Sequence, residues 1–229
     1  MPEGSAGNAY LSKPESGPGP GVLFLHSWWG LTDGVKDRVE ALADEGFSVL
    51  APNLLPGDNP TEVTAAVERL ATADIDATAA AILSSIVALR AHSVDPEAPV
   101  GVVGQSMGAS WALWVATRQP DSVAAAVAHY GVQNIDFSDL TAPVLCHFAE
   151  LDPIVSEDSA SEMQAHMRLL DKSVAVHRHS GARHFFAESG VEMLGPNGVT
   201  GERNDIERRE SDLCWESTAA FLHDSLDSN

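Results

Sequence analysis

The chain has 229 residues with 33 acidic against 13 basic side chains, a formal charge of −20 and an isoelectric point near 4.5. Such a charge repels nucleic acids and anionic membrane surfaces at long range, so neither is an expected partner. Its hydrophobic share of 44% suits one α/β domain over residues 1–229 better than two small ones.

No run of about 18 apolar residues exists, and Met1–Asn8 carry neither the basic stretch nor the apolar core of a signal peptide. The cytoplasm is therefore the default compartment. Residues 1–20 are rich in Gly, Pro and Ser, with Ala9-Tyr10-Leu11 as a possible edge strand. Apolar runs at Val22–Leu25, Phe47–Ala51, Val100–Val103, Val123–Ala128, Val144–Phe148 and Val174–Val176 read as further strands, separated by helical stretches. That alternation predicts a mostly parallel sheet with helices on both faces.

The first helix should start near Thr32 or Asp33, bury Val35, Val39 and Leu42, and stop at Gly46. Thr61–Arg90 reads as a second helical region in two pieces, its apolar face formed by Ile75, Ala79, Ile82, Leu83, Ile86 and Leu89. A final helix near Asp205–Leu226 carries Leu213, Trp215 and Phe221. Cys146 and Cys214 are expected as buried free thiols, and no zinc-type cysteine spacing is present. Lysine is confined to Lys13, Lys36 and Lys172. The acidic excess is readable as adaptation to a salty cytoplasm or as the habit of an Ala- and Arg-rich proteome.

Gly104-Gln105-Ser106-Met107-Gly108 lies between an apolar strand and a helical run. Gly-x-Ser-x-Gly alone should arise by accident in about one chain of this size in ten. The strand–turn–helix context is what makes it a nucleophile elbow, with Ser106 as candidate nucleophile. A serine hydroxyl needs a base, and the base an orienting acid, in the chain order Ser, acid, His. His166 and His223 read as surface residues, and His177 and His179 alternate along a strand. His184 follows Ser180-Gly181-Ala182-Arg183, read as a loop at a strand's carboxyl end, where open parallel sheets place their sites. His184 is the candidate base. Asp152, held by the following Pro153, is the preferred acid over Glu150. Backbone N–H groups of Met107 and of Trp28, in the early loop His26-Ser27-Trp28-Trp29-Gly30, are the candidate oxyanion donors.

Taken together, His26–Leu31, Ala51–Gly57, the Gly104–Gly108 elbow, Glu150–Pro153 and Gly181–Phe185 resemble the dienelactone hydrolase family of α/β-hydrolases. The resemblance implies an α/β-hydrolase fold without a large cap domain. It also implies hydrolysis of a small-molecule ester or lactone through an acyl-enzyme, with no metal or organic cofactor. Serine stands at position 106 where the best known members use cysteine, and Ser27 where they carry a glutamate that helps form the thiolate. Glu188 stands where the lactone-specific members place a carboxylate-binding arginine, which makes anionic dienelactone a poor expected substrate. Ser27, Trp29, Arg69, Arg183 and Glu188 are the candidate substrate contacts. Residues 189–204 read as a loop, either covering the site or inserted at the surface. A monomer is the default expectation. Two rivals are a non-catalytic ligand-binding homologue and a small amidase or peptidase.

Overall fold

The computed structural model describes residues 9–227; Met1–Asn8 of the Gly- and Pro-rich segment lie outside the described residues. Seven strands form one sheet in the order β1-β3-β2-β4-β5-β6-β7. They are β1 (Ala9–Ser12), β2 (Gly21–Leu25), β3 (Ser48–Pro52), β4 (Val100–Gln105), β5 (Val123–His129), β6 (Val144–Leu151) and β7 (Val174–Arg183). The expected edge strand is present as β1, antiparallel to β3. Every other pair is parallel.

Successive side chains of a strand point to opposite faces, so a strand buried on both sides is apolar throughout. In β2, Val22 and Phe24 enter one core and Leu23 and Leu25 the other. The first core is closed by α1 (Asp33–Asp44) and α6 (Asp205–Leu226), and the second by α3 (Ile75–Arg90), α4 (Met107–Arg118) and α5 (Glu157–Leu169). Thr32 caps α1 through its hydroxyl, and Gly46 follows that helix at φ +107°. Both ends of α1 are therefore where the sequence places them.

The second helical region does divide, into α2 (Val63–Ala71) and α3, bent by 91°. Ile75 does not join the buried face: it is 70% exposed, in the first turn, and the stripe begins at Thr78. Along α6 the buried stripe runs through Cys214, Trp215, Thr218 and Leu222, while Leu213 is 46% exposed. Ser180–Arg183 also correct the reading, because they continue β7 rather than forming a loop. The Glu150 carboxylate accepts from Ser180 Oγ and Gly181 N, both at 2.7 Å. That clamp carries the pairing across a register shift between Ala149 and Leu151.

Among the described residues no single helix is long and apolar enough to cross a membrane. The chain leaves β3 at one side of β2 and returns as β4 on the other, and ligands of open α/β sheets bind at such a reversal. The register pairs Leu25 with Gly104. It thereby sets the loop after β2 beside the turn after β4.

Candidate active site

Ser106 occupies the turn between β4 and α4 with φ +51° and ψ −112°. A non-glycine residue in that region is strained by roughly 1–3 kcal/mol and persists only where its surroundings hold it. Here Ser106 N donates to His129 O at 2.9 Å. The flanking glycines answer to crowding rather than to their own dihedrals. A Cβ on Gly104 would lie 2.1 Å from Gly108 O, and one on Gly108 would lie 2.0 Å from Leu25 O.

The structure brings the three candidate residues into one hydrogen-bonded line. Ser106 Oγ is 2.8 Å from His184 Nε2, and His184 Nδ1 is 2.6 Å from Asp152 Oδ2. The other Asp152 oxygen accepts from Ile154 N and Val155 N, at 2.8 and 3.0 Å, which fixes the carboxylate. His184 is fully buried, its ring in edge contact with Tyr130 and Phe185 at 5.1 and 4.2 Å. Glu150, the competing acid, is occupied by Ser180 and Gly181.

Residues 189–204 include a short hairpin of β8 (Met193–Leu194) and β9 (Thr200–Gly201). Leu194 exchanges two backbone hydrogen bonds with His184, at 3.0 and 3.1 Å. The hairpin thus anchors the main chain of the histidine.

In the early loop, burial lowers the His26 pKa to about 4. The neutral ring donates from Nδ1 to Ser27 O at 2.7 Å and accepts at Nε2 from Leu54 N at 2.9 Å. This ties the loops after β2 and β3 together. Trp28 and Trp29 pack on Phe185 at 5.5 and 5.7 Å, both buried. Among the described residues no hydrogen bond takes up the backbone N–H of Trp28 or of Met107. Trp111 and Trp114 meet each other edge to face and pack against the second core.

The remaining candidates separate by what holds them. Arg69 donates to the carbonyls of Leu55, Gly57 and Asp58, shaping the loop after β3. The Arg183 guanidinium is taken by the buried Glu207 carboxylate at 2.6 and 2.8 Å and by Glu202 O. Glu188 is buried: Ser27 Oγ donates to its Oε2 at 2.7 Å and Tyr130 Oη to its Oε1 at 3.2 Å. Burial raises its pKa to about 8, against the opposing pull of those two hydroxyls.

Tyr130 and Gln105, whose Nε2 donates to Tyr130 Oη, complete this cluster and escaped the sequence reading. A polar Gln, and a Tyr following a His, at the ends of otherwise apolar strands were the available signal. A cleft of about 480 Å³ opens beside Trp29, with Asn59 and Glu62 on one wall and Val191 and Glu192 on another. Among the described residues the one group of three potential metal ligands is His129, His147 and Cys214. It sits under α6 rather than at Ser106.

A mostly parallel sheet with helices on both faces, carrying a serine on a strained turn between its fourth strand and the following helix, defines an α/β-hydrolase fold. The chain belongs to the dienelactone hydrolase family, whose sequence profile matches residues 8–226, and is therefore a hydrolase. It is 28% identical over 227 residues to Protein usf of Aquifex pyrophilus, covering 95% of this chain and 93% of that one. It is 27% identical to carboxymethylenebutenolidase 1 of Cupriavidus pinatubonensis over 79% of this chain and 81% of the relative. Among solved structures, a candidate dienelactone hydrolase of Klebsiella pneumoniae subsp. pneumoniae superposes with a TM-score of 0.80. The two are 20% identical, over 96% and 94% of the chains. The dienelactone hydrolase-like promiscuous phosphotriesterase P91 from metagenomic libraries gives 0.75 at 22% identity, over 95% and 92%.

Proposed function

We propose that this protein is a serine hydrolase of short, uncharged carboxylic esters or lactones. The observation that carries the reading is the unbroken line Ser106 Oγ, His184, Asp152, with contacts of 2.8 and 2.6 Å, built on a strained turn. Ser106 attacks the carbonyl carbon as His184 Nε2 removes its proton. Asp152 holds the Nδ1–H tautomer and stabilises the imidazolium. The oxyanion is received by the Met107 and Trp28 N–H groups, which have no partner among the described residues, and by the field of the α4 N-terminus. His184 then protonates the leaving alcohol, and a water activated by the same nitrogen releases the acid.

Two features argue against an anionic substrate. The cleft beside Trp29, which adjoins the early loop and is not itself lined by Ser106 or His184, presents Glu62 and Glu192 and no cation among its lining residues. Glu188 is turned into the cluster with Ser27 and Tyr130. The relatives named carboxymethylenebutenolidase support the lactone half of the reading.

The test is hydrolysis of a short-chain chromogenic aryl ester by the native chain and by Ser106→Ala, at low and high salt. Turnover that falls at least about 10³-fold in the variant, the size expected for removal of such a group, supports the reading. Equal activity in both removes Ser106 as nucleophile. Inertness of both under every condition favours a binding protein.

A further inference from the structure

His129 ends β5 and His147 lies beside it in register on β6, with Cys214 on the turn of α6 above them. All three are fully or almost fully buried. One ring nitrogen from each histidine and Cys214 Sγ lie within 4.8 Å of one another. The other hydrogen bonds sort the nitrogens. His129 Nε2 is 2.9 Å from Thr218 Oγ1, and His147 Nδ1 is 2.9 Å from His179 Nε2. His179 Nδ1 is in turn 3.0 Å from the Glu210 carboxylate. The two nitrogens left over, His129 Nδ1 and His147 Nε2, are buried with no hydrogen-bond partner among the described residues.

An orphaned buried polar atom carries an uncompensated desolvation penalty, so two in adjacent side chains call for a physical account. Metal sites have a related form: a ligating histidine commonly gives its second nitrogen to a hydrogen-bond partner, such as a carboxylate, backbone carbonyl or water, that fixes the ring. Here each histidine has such an outer partner and an uncommitted nitrogen. Metal–ligand bonds of about 2.0–2.3 Å place ligand atoms roughly 3.5 Å apart. The cluster therefore reaches that geometry by a contraction of about an ångström.

We propose that His129, His147 and Cys214 form a buried site for one thiophilic cation, Cu+ or Zn2+, distinct from the hydrolytic centre. Thiolate with imidazole selects these ions. Two further observations favour Cu+. The three side chains offer three ligands, whereas structural zinc takes four. A monovalent ion with one thiolate is neutral, which suits a dry site where Arg38 stacks on Trp215 at 4.1 Å, within electrostatic reach of the thiol. On binding, the Cys214 S–H bond breaks, its proton passes to solvent and the metal–sulfur bond forms with no change of oxidation state.

The site also touches the elbow through the main chain: His129 O accepts from Ser106 N, and His147 O from Tyr130 N at 2.6 Å. The ion would brace that turn without entering the reaction.

The test loads the full chain in separate arms with Cu+ held by a weak chelator and with Zn2+, both during expression and on the folded protein. Metal per chain and thiolate-to-metal ultraviolet absorption are then read after gel filtration. One equivalent in either arm is expected, with the absorption band present for copper. Cys214→Ser should abolish retention, and Cys146→Ala, which removes the thiol on the opposite face, should leave it intact. His179→Gln should weaken affinity roughly 10–100-fold, the usual effect of losing an outer partner. X-ray absorption on the loaded native chain, which needs no variant to fold, should report one sulfur and two nitrogens around the ion. No metal above trace in both arms, equal retention by Cys214→Ser, or an all-oxygen shell would overturn the site.

Discussion

Ser27 Oγ and the Glu188 carboxylate, 161 positions apart in the chain, meet at 2.7 Å inside the protein. Ser27 Oγ also accepts from Trp29 N at 3.3 Å. Glu188 thereby steadies the loop that carries the Trp28 N–H, at the expense of a carboxyl group out of water.

That expense is readable as pH dependence. The Glu188 pKa is about 8 in the folded protein against an ordinary value of 4.5. Between those values the folded chain keeps a proton that the unfolded chain has lost, so stability falls as pH rises through the window. The shift corresponds to roughly 5 kcal/mol at most. Glu188→Gln preserves the polar shape and does not titrate. Urea denaturation at pH 5 and pH 8 should show the variant gaining on the native chain as pH rises. Curves that stay parallel would discard the buried-acid account.

Asp152 has two oxygens with separate tasks, one for the backbone of Ile154 and Val155 and one for His184. In Asp152→Asn the first task survives, while the amide N–H2 faces His184 Nδ1 and imposes the wrong tautomer. The expected result is a fall in kcat of about 10³–10⁴-fold with a thermal midpoint close to native. A loss of less than tenfold in ester hydrolysis would transfer the orienting role elsewhere.

Arg183 was a candidate substrate contact by sequence, and the Glu207 pair gives it a structural task. Glu207 is fully buried and also closes the capping box at the start of α6 with Asn204. Arg183→Met leaves that carboxylate short of its cation, at a cost of about 2–4 kcal/mol, discounted for the partial exposure of the arginine. The prediction is a lowered denaturation midpoint with KM unchanged for the folded fraction. A KM that rises while stability holds would restore the substrate role.

Gly108 should tolerate nothing larger. Its added Cβ would meet backbone atoms, Leu25 O at 2.0 Å and Leu25 C at 2.5 Å, which cannot move aside as a flexible side chain does. Gly108→Ala is expected to cost at least about 3 kcal/mol. Gly190→Ala, with positive φ but open space around it, should cost only about 1 kcal/mol. Comparable melts for the two variants would show that the elbow packing is looser than these distances state.

The alternation of apolar runs and helical stretches, the Thr32 cap, the Gly46 stop and the Ser106 elbow were all legible along the chain. Each depends on residues a few positions apart. The family resemblance rested on such short segments in the correct order. The end of β7 was not legible, because Ser180 and Gly181 are held beside β6 by the side chain of Glu150, some thirty positions earlier, before pairing resumes at Leu151 and Arg183. Nor was the fate of Ile75, since helical periodicity assigns a face but not how far along the helix the sheet reaches. Sequence by itself determined local conformation and the identity of the groups able to do chemistry. Tertiary structure alone decided which of them meet: Ser27 with Glu188, Arg183 with Glu207, and His129 with His147 and Cys214. Sheet register and helix docking set those encounters, and neither is written in the spacing of any one segment.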